Sequence, residues 1–230
     1  MNILVTRPER DALQTAARLA ALGHKAVIAP VTEIVVTGAK IPIACYSAVL
    51  VTSANALRAL THHDIGHLQN VTLHCVGQKT ADVARSLGFS NVLVSGGSGH
   101  FLVEDIIAAY SAGAALLYLT GTPRKPMVEQ GLRASGFAVT SSELYRAQTV
   151  ADWPGRARAM IPHIDVALHY SRASVEALLD LSEKAGVSAD LHPMRHICLS
   201  HDVAVPLLAL SIKHIAIAER PSEASMLDLL

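Results

Sequence analysis

Three segments of this chain recur, and their order restricts the fold more than any other feature. "VLVTSANALRAL" from Val49 returns as "ALHYSRASVEAL" from Ala167, with Ser53 on Ser171, Leu57 on Val175 and Leu60 on Leu178. "LHCVGQKTADVARSLGFSNVLVS" from Leu73 aligns without gaps on "HICLSHDVAVPLLALSIKHIAIA" from His196, with Cys75 on Cys198 and Val92 on Ile215. "ILVTRPERDALQTAARLAALGHKAV" from Ile3 resembles "LLYLTGTPRKPMVEQGLRASGFAV" from Leu116, with Leu19 on Leu132 and Gly23 on Gly136. Each segment is a short apolar run, a polar turn and a helical pattern. A fixed internal repeat of such units means two structures built alike. The N-terminus supplies one unit of the third kind, the middle supplies one of each, and the C-terminus supplies the other two. Two equivalent bodies result only if the first segment joins the last two.

The expected architecture is therefore two similar α/β domains with parallel sheets, one inserted into the other. Residues 1–36 with 151–230 form the discontinuous domain, and residues 45–143 form the inserted one. The linkers are 37–44 and 144–150. The crossings, "TEIVVTGAKIP" and "LYRAQTVADWP", are short, extended and rich in β-branched residues, so they are expected to pair as a two-stranded ladder that acts as a hinge beside a cleft. In the first helix, Leu13, Ala16, Ala17 and Ala20 recur at helical spacing, Pro8 precedes it and Gly23 follows it, as a start and a stop should.

In open parallel sheets, ligands bind beyond the carboxyl ends of the strands. Those ends here carry Thr6-Arg7, Ser53-Ala54-Asn55, Gly77 to Thr80, Gly121, Ser171-Arg172-Ala173-Ser174 and His201. Small hydroxyl residues and glycine at helix starts expose backbone N–H groups and the positive end of the helix dipole, a setting for anions. The same residues are also what simple N-caps require.

Composition narrows the ligand. Of 230 residues, 51% are hydrophobic and only 4% aromatic, so base stacking is poorly supplied. Lys+Arg and Asp+Glu balance at 19 each and no basic cluster appears, so no nucleic acid is expected. No apolar run reaches bilayer length and no secretory leader is visible, so the chain is expected in the cytoplasm and off the membrane. The three cysteines, Cys45, Cys75 and Cys198, are widely spaced and read as buried thiols. No dimer seam shows, and a monomer is expected.

The motifs "ILVTRP", "VLVTSANAL", "CVGQKTADVARSLGF", "LLYLTG", "LYRAQTV" and "IAIAERPSEASMLDLL", in that order over nearly the whole chain, resemble the uroporphyrinogen-III synthase family. The resemblance implies two α/β domains joined by a β-ladder and no cofactor or metal. It implies conversion of hydroxymethylbilane, a linear tetrapyrrole bearing acetates and propionates, into uroporphyrinogen III. In that reaction the last ring is inverted and water is lost. Tyr145 matches the family's cleft tyrosine, placed to give a proton to the departing hydroxyl. Ser53, Asn55, Gly77, Thr80, Gly121, Ser171 and Ser174 carry over as contacts to substrate carboxylates. Arg172 stands where the family often has proline, and "LSHDVA" replaces the second copy of "VGQKTA". There Arg172 and His201 could supply positive charge instead.

Other patterns point elsewhere less well. "THHDIGH" places His63 and His67 on one helical face, but a HExxH arrangement is missing and surface histidines are the plainer reading. "SGGSGH", residues 95–100, lacks both phosphate-loop orders and reads as a turn before a helix. The alternative function is a non-catalytic two-domain protein that binds an anion in a hinged cleft.

Overall fold

The structure is a computed structural model, and it describes residues 1–153 and 155–230. In chain order the first elements are β1 (Asn2–Val5), α1 (Glu9–Ala21), β2 (Lys25–Ile28) and β3 (Thr32–Val36). The middle of the chain holds β4 (Ala48–Val51), α2 (Ala54–Arg58), α3 (His62–Leu68), β5 (Leu73–Cys75), α4 (Gln78–Ser86) and β6 (Val92–Val94). It continues with α5 (Gly99–Ala109), β7 (Ala115–Thr122), α6 (Met127–Ala134) and β8 (Ala138–Thr149). The last part holds α7 (Gly155–Met160), β9 (Val166–His169), α8 (Arg172–Ala185), β10 (Arg195–Cys198), α9 (His201–Ala209), β11 (Ile215–Ile217) and α10 (Glu223–Leu227). Contacts divide the chain into two compact units: Met1–Glu33 with Gln148–Leu230, and Ile34–Ala147.

The first unit holds a five-stranded sheet in the order β11-β10-β9-β1-β2, with every pair parallel. The second sheet runs β6-β5-β4-β7-β8, again parallel, with β3 added beyond β8. Reading β9, β10, β11, β1, β2 against β4, β5, β6, β7, β8 gives the same strand order. The repeats explain why: β4 and β9, β5 and β10, β6 and β11, and β1 and β7 are the copies of one another. Cys75 and Cys198 each end their strand, Val92 and Ile215 each begin theirs, and Ser53 and Ser171 are both N-caps. Gly23 and Gly136, at φ +78° and +85°, end equivalent helices in the left-handed region that favours glycine.

The joining segments pair as well. The backbone N–H of Thr37 donates to Leu144 O at 3.0 Å, and that of Val150 donates to Val31 O at 3.1 Å. The partners run in opposite order, so β3 lies antiparallel to β8. A single strand, β8, runs from the second sheet into the crossing, through the stretch 144–150 that the sequence assigned to a linker.

Helix α8 shows how local sequence sets these elements. The Ser171 hydroxyl accepts from the Ser174 N–H, Gly186 closes the helix at φ +70°, and Val175, Leu178, Leu181, Ser182 and Ala185 form the buried stripe. Leu178 and Leu181 pack with Leu4, Ala167, Ile161 and Trp153 on one face of the first sheet. Fully burying each such side chain stabilises the unit by about 1.5–3 kcal/mol. Helix α1 differs from expectation. Its buried residues are Ala12, Thr15 and Leu19, whereas Leu13 is 57% exposed. The stripe is turned because the Thr15 hydroxyl donates inward, to Glu223 Oε1 at 2.5 Å. Cys45 also departs from expectation. It is exposed, whereas Cys75 and Cys198 are buried, and burial pushes both of those thiols up to about 12. No helix among the described residues is long and apolar enough to cross a membrane.

Candidate active site

Because neighbouring strands are parallel, their carboxyl ends share one edge of each sheet. In the first unit, Val5 pairs with Leu168 and Cys198 with His169. Thr6-Arg7, Ser171 to Ser174 and His201 therefore leave adjacent strands β1, β9 and β10. In the second unit, Val51 pairs with Cys75 and Leu119. Ser53-Ala54-Asn55, Gly77 to Thr80 and Gly121 therefore leave β4, β5 and β7, and Tyr145 faces Gly121 from β8. Each edge contains its sheet's switch in strand order, the usual place for a ligand in such a sheet.

Several of these residues hold their own turns. Ser53 Oγ accepts from the Asn55 N–H at 3.2 Å, and Asn55 Oδ1 accepts from Arg58 at 2.9 Å. Ser171 Oγ accepts from the Ser174 N–H at 3.2 Å and lies 2.8 Å from Ser174 Oγ. Gly77 and Ser200 sit at the N-terminal ends of α4 and α9 and supply no side-chain cap, so neither helix start is satisfied by its own capping residue. Thr80, Ala54 and Thr6 are buried, and Thr6 Oγ1 has no partner among the described residues. Ala173 and His201 are exposed.

Two of the cations are already committed. The Arg172 guanidinium pairs with Glu176 at 2.9 Å and approaches Asp202 at 3.7 Å. Arg7 donates to Glu223 Oε1 at 3.2 Å, lies 3.7 Å from Asp11, and stacks 4.1 Å over the Tyr170 ring. Glu223 also accepts from Thr15 and from the Tyr170 hydroxyl at 2.7 Å, and it pairs with Arg18. Arg7 thus binds α10 to β1 and α1. Sequence reading missed Glu223 as a partner because the groups it joins lie up to 216 positions away.

Tyr145 is half-buried and packs against the Leu117, Leu119 and Leu144 cluster. Its placement comes from a bulge in β8. Thr120 pairs with Glu143, but the next residue, Gly121, pairs with Tyr145. The extra residue, Leu144, lets Leu144 and Tyr145 both face that cluster, against strict alternation. No described group hydrogen-bonds the Tyr145 hydroxyl. Beside it, Arg124 donates to Glu143 at 2.5 Å and to Glu129 at 2.8 Å, and Thr122 donates to Glu143 at 3.0 Å. The bond from Arg124 lowers the Glu143 carboxyl. Burial opposes the Glu129 carboxylate, but Ser141 and Arg124 outweigh it, so its value is lowered too. Arg124 has both carboxylates as partners and fixes the turn after β7 to β8.

His63 and His67 face each other on α3, with Nε2 atoms 3.3 Å apart, and no group of three or more ligands suited to a metal occurs among the described residues. The residue 95–100 turn leads into α5, where Ser98 caps the helix.

The interleaved strand order and the paired polar edges define a two-unit α/β protein with one unit inserted into the other. The family model described as Uroporphyrinogen-III synthase HemD matches residues 14–228, so the chain belongs to that family, the cyclising lyases that convert hydroxymethylbilane to uroporphyrinogen III. Solved structures share the fold. The uroporphyrinogen-III synthetase of Helicobacter pylori superimposes with a TM-score of 0.70 at 17% identity, covering 99% of this chain and 96% of that one. A mutant uroporphyrinogen III synthase of Thermus thermophilus gives 0.55 at 15% identity, covering 99% and 96%. No curated protein matches in sequence.

Proposed function

We propose that Tyr145 is the group that protonates the departing hydroxyl of hydroxymethylbilane, and that the polar strand ends of both units receive the substrate's carboxylates. The observation that carries this reading is the half-buried phenol of Tyr145, turned onto its cluster by the bulge at Leu144 and without a hydrogen-bond partner among the described residues. A phenol keeps its proton at neutral pH and can donate it. The C–O bond breaks, the oxygen leaves as water with that proton, and the electron pair of the pyrrole nitrogen fills the vacancy as an azafulvene. The substituted carbon of the last ring then attacks to give a spiro intermediate, which fragments and recloses inverted. Attack by the unsubstituted position needs no protein, so the chain's main task is to hold one geometry.

The turns of Ser53, Asn55, Gly77, Thr80, Ser171 and Ser174 suit this role because N–H groups at helix starts bind carboxylates without net positive charge. Thr6, Ala173 and His201 border the edge of the first sheet and Ala54 that of the second, and each is assigned to the binding surface of its own unit. Arg7 and Arg172 are assigned supporting roles there, since each already holds a carboxylate of the chain. The chain is expected to act as a cytoplasmic monomer.

Tyr145→Phe tests the assignment. It keeps the ring and its packing and removes only the proton donor. Inverting closure of hydroxymethylbilane should slow by roughly 100-fold, with KM little changed. Unchanged turnover would remove Tyr145 from the chemistry.

A further inference from the structure

Gly121 lies near the end of β7, on the face that carries Leu117 and Leu119, and it is buried. What covers it is Tyr145. A Cβ built on Gly121 would lie 2.3 Å from Tyr145 Cζ, 2.4 Å from Cε1 and 2.5 Å from Cε2. Those atoms form the hydroxyl-bearing end of the ring. The phenol tip therefore rests on the bare Cα of Gly121.

Two features make this arrangement specific. The bulge pairs Gly121 with Tyr145, whereas an unbroken ladder would pair it with Leu144. In addition, Gly121 has no left-handed φ, so its backbone places no demand for glycine. The missing side chain is needed only for the room that Tyr145 occupies.

We propose that Gly121 is a positioning residue: its bare Cα seats the phenol of Tyr145 and so sets where the hydroxyl meets the substrate's leaving oxygen. This rests on the reading of Tyr145 as the proton donor. A methyl group at position 121 has no backbone reason to unfold the unit. It pushes aside the far end of one side chain. A small misplacement of a donor removes much of its effect, because the proton must pass over hydrogen-bond distance.

The test uses the full-length protein as Gly121→Ala, Tyr145→Ala and the double variant, with hydroxymethylbilane as substrate. Tyrosine-ring ¹³C NMR, with the Tyr145 signal assigned from Tyr145→Phe, reports the ring directly. Gly121→Ala should shift that signal, keep the folded spectrum elsewhere, and lower kcat by about tenfold to 100-fold with little change in KM. In the Tyr145→Ala background the same substitution should change kcat less than about twofold, because the two residues act as one. An equal loss from Gly121→Ala in both backgrounds would overturn the proposal and assign Gly121 to direct substrate contact. An unmoved ring signal would overturn it as well. Full turnover in Tyr145→Ala would overturn the donor reading, and with it any catalytic role for the seat, whatever the ring signal does.

Discussion

Lowering the pH from about 7.5 to about 5.5 destabilises the unit that carries Trp153 by up to roughly 3 kcal/mol. The cause is a pair of fully buried histidines, His169 and His196, in the neighbouring strands β9 and β10. His196 Nε2 donates to Leu191 O at 2.8 Å, and in the neutral ring its Nδ1 is then an acceptor. In that tautomer His169 Nε2 donates to this atom at 2.9 Å, and His169 Nδ1 has no partner among the described residues. The rings stack at 5.1 Å. Burial favours the neutral form of both rings. Burial, with His196 close by, holds His169 well below the ordinary value of 6.5, and burial also lowers His196. The sign follows from proton uptake. Above the ordinary value, neither folded nor unfolded chain binds a proton at these sites. Below it the unfolded chain takes up protons more readily than the folded chain, so stability falls, by at most about 1 kcal/mol per group per pH unit. Trp153 is the sole tryptophan of the chain and is buried in the core of that unit, so its fluorescence in urea reads the effect. The double variant His169→Leu, His196→Leu should lose most of this pH dependence, whatever its absolute stability. Identical urea midpoints at both pH values in the unaltered protein would refute the argument.

Glu223→Ala is expected to be comparably damaging, at about 3 kcal/mol. The Glu223 side chain is 13% exposed and its carboxylate serves Arg7, Arg18, Thr15 and Tyr170 together. Its removal takes the shared acceptor from two guanidiniums and two hydroxyls; Arg7 and Thr15 keep Asp11, Arg18 reaches solvent, and the Tyr170 hydroxyl loses its acceptor inside the unit. Arg7 and Tyr170 are themselves largely enclosed, and burial raises the Tyr170 phenol, which therefore remains a donor. A single exposed ion pair would be worth far less, on the order of 0–1 kcal/mol. The two expectations separate clearly in a melt, since each kcal/mol moves Tm by about 2–4 °C at this chain length. A Tm loss under about 2 °C would place Glu223 with ordinary surface pairs.

The fold was legible because its evidence is periodic. Strand–turn–helix units recur over many residues, and hydrophobic period and turn chemistry agree within each copy. The odd order of the copies carried the topology. The misreadings have a physical reason in common. The buried stripe of α1 includes Thr15, whose hydroxyl meets Glu223, about 200 residues away, as well as its neighbours Asp11 and Arg7. The bulge at Leu144 leaves no mark in "SSELYRAQT", since an inserted residue is visible only against its neighbouring strand. Ser53 and Ser171 were legible as helix caps, and the seat beneath Tyr145 was not, because a glycine next to a strand end looks like any turn glycine.

The central claim is that this chain imposes the inverted closure. The direct measurement is to supply hydroxymethylbilane and separate the uroporphyrinogen isomers formed. The account predicts predominantly isomer III, formed well above the enzyme-free rate. Isomer I alone, at the rate seen without protein, would contradict it.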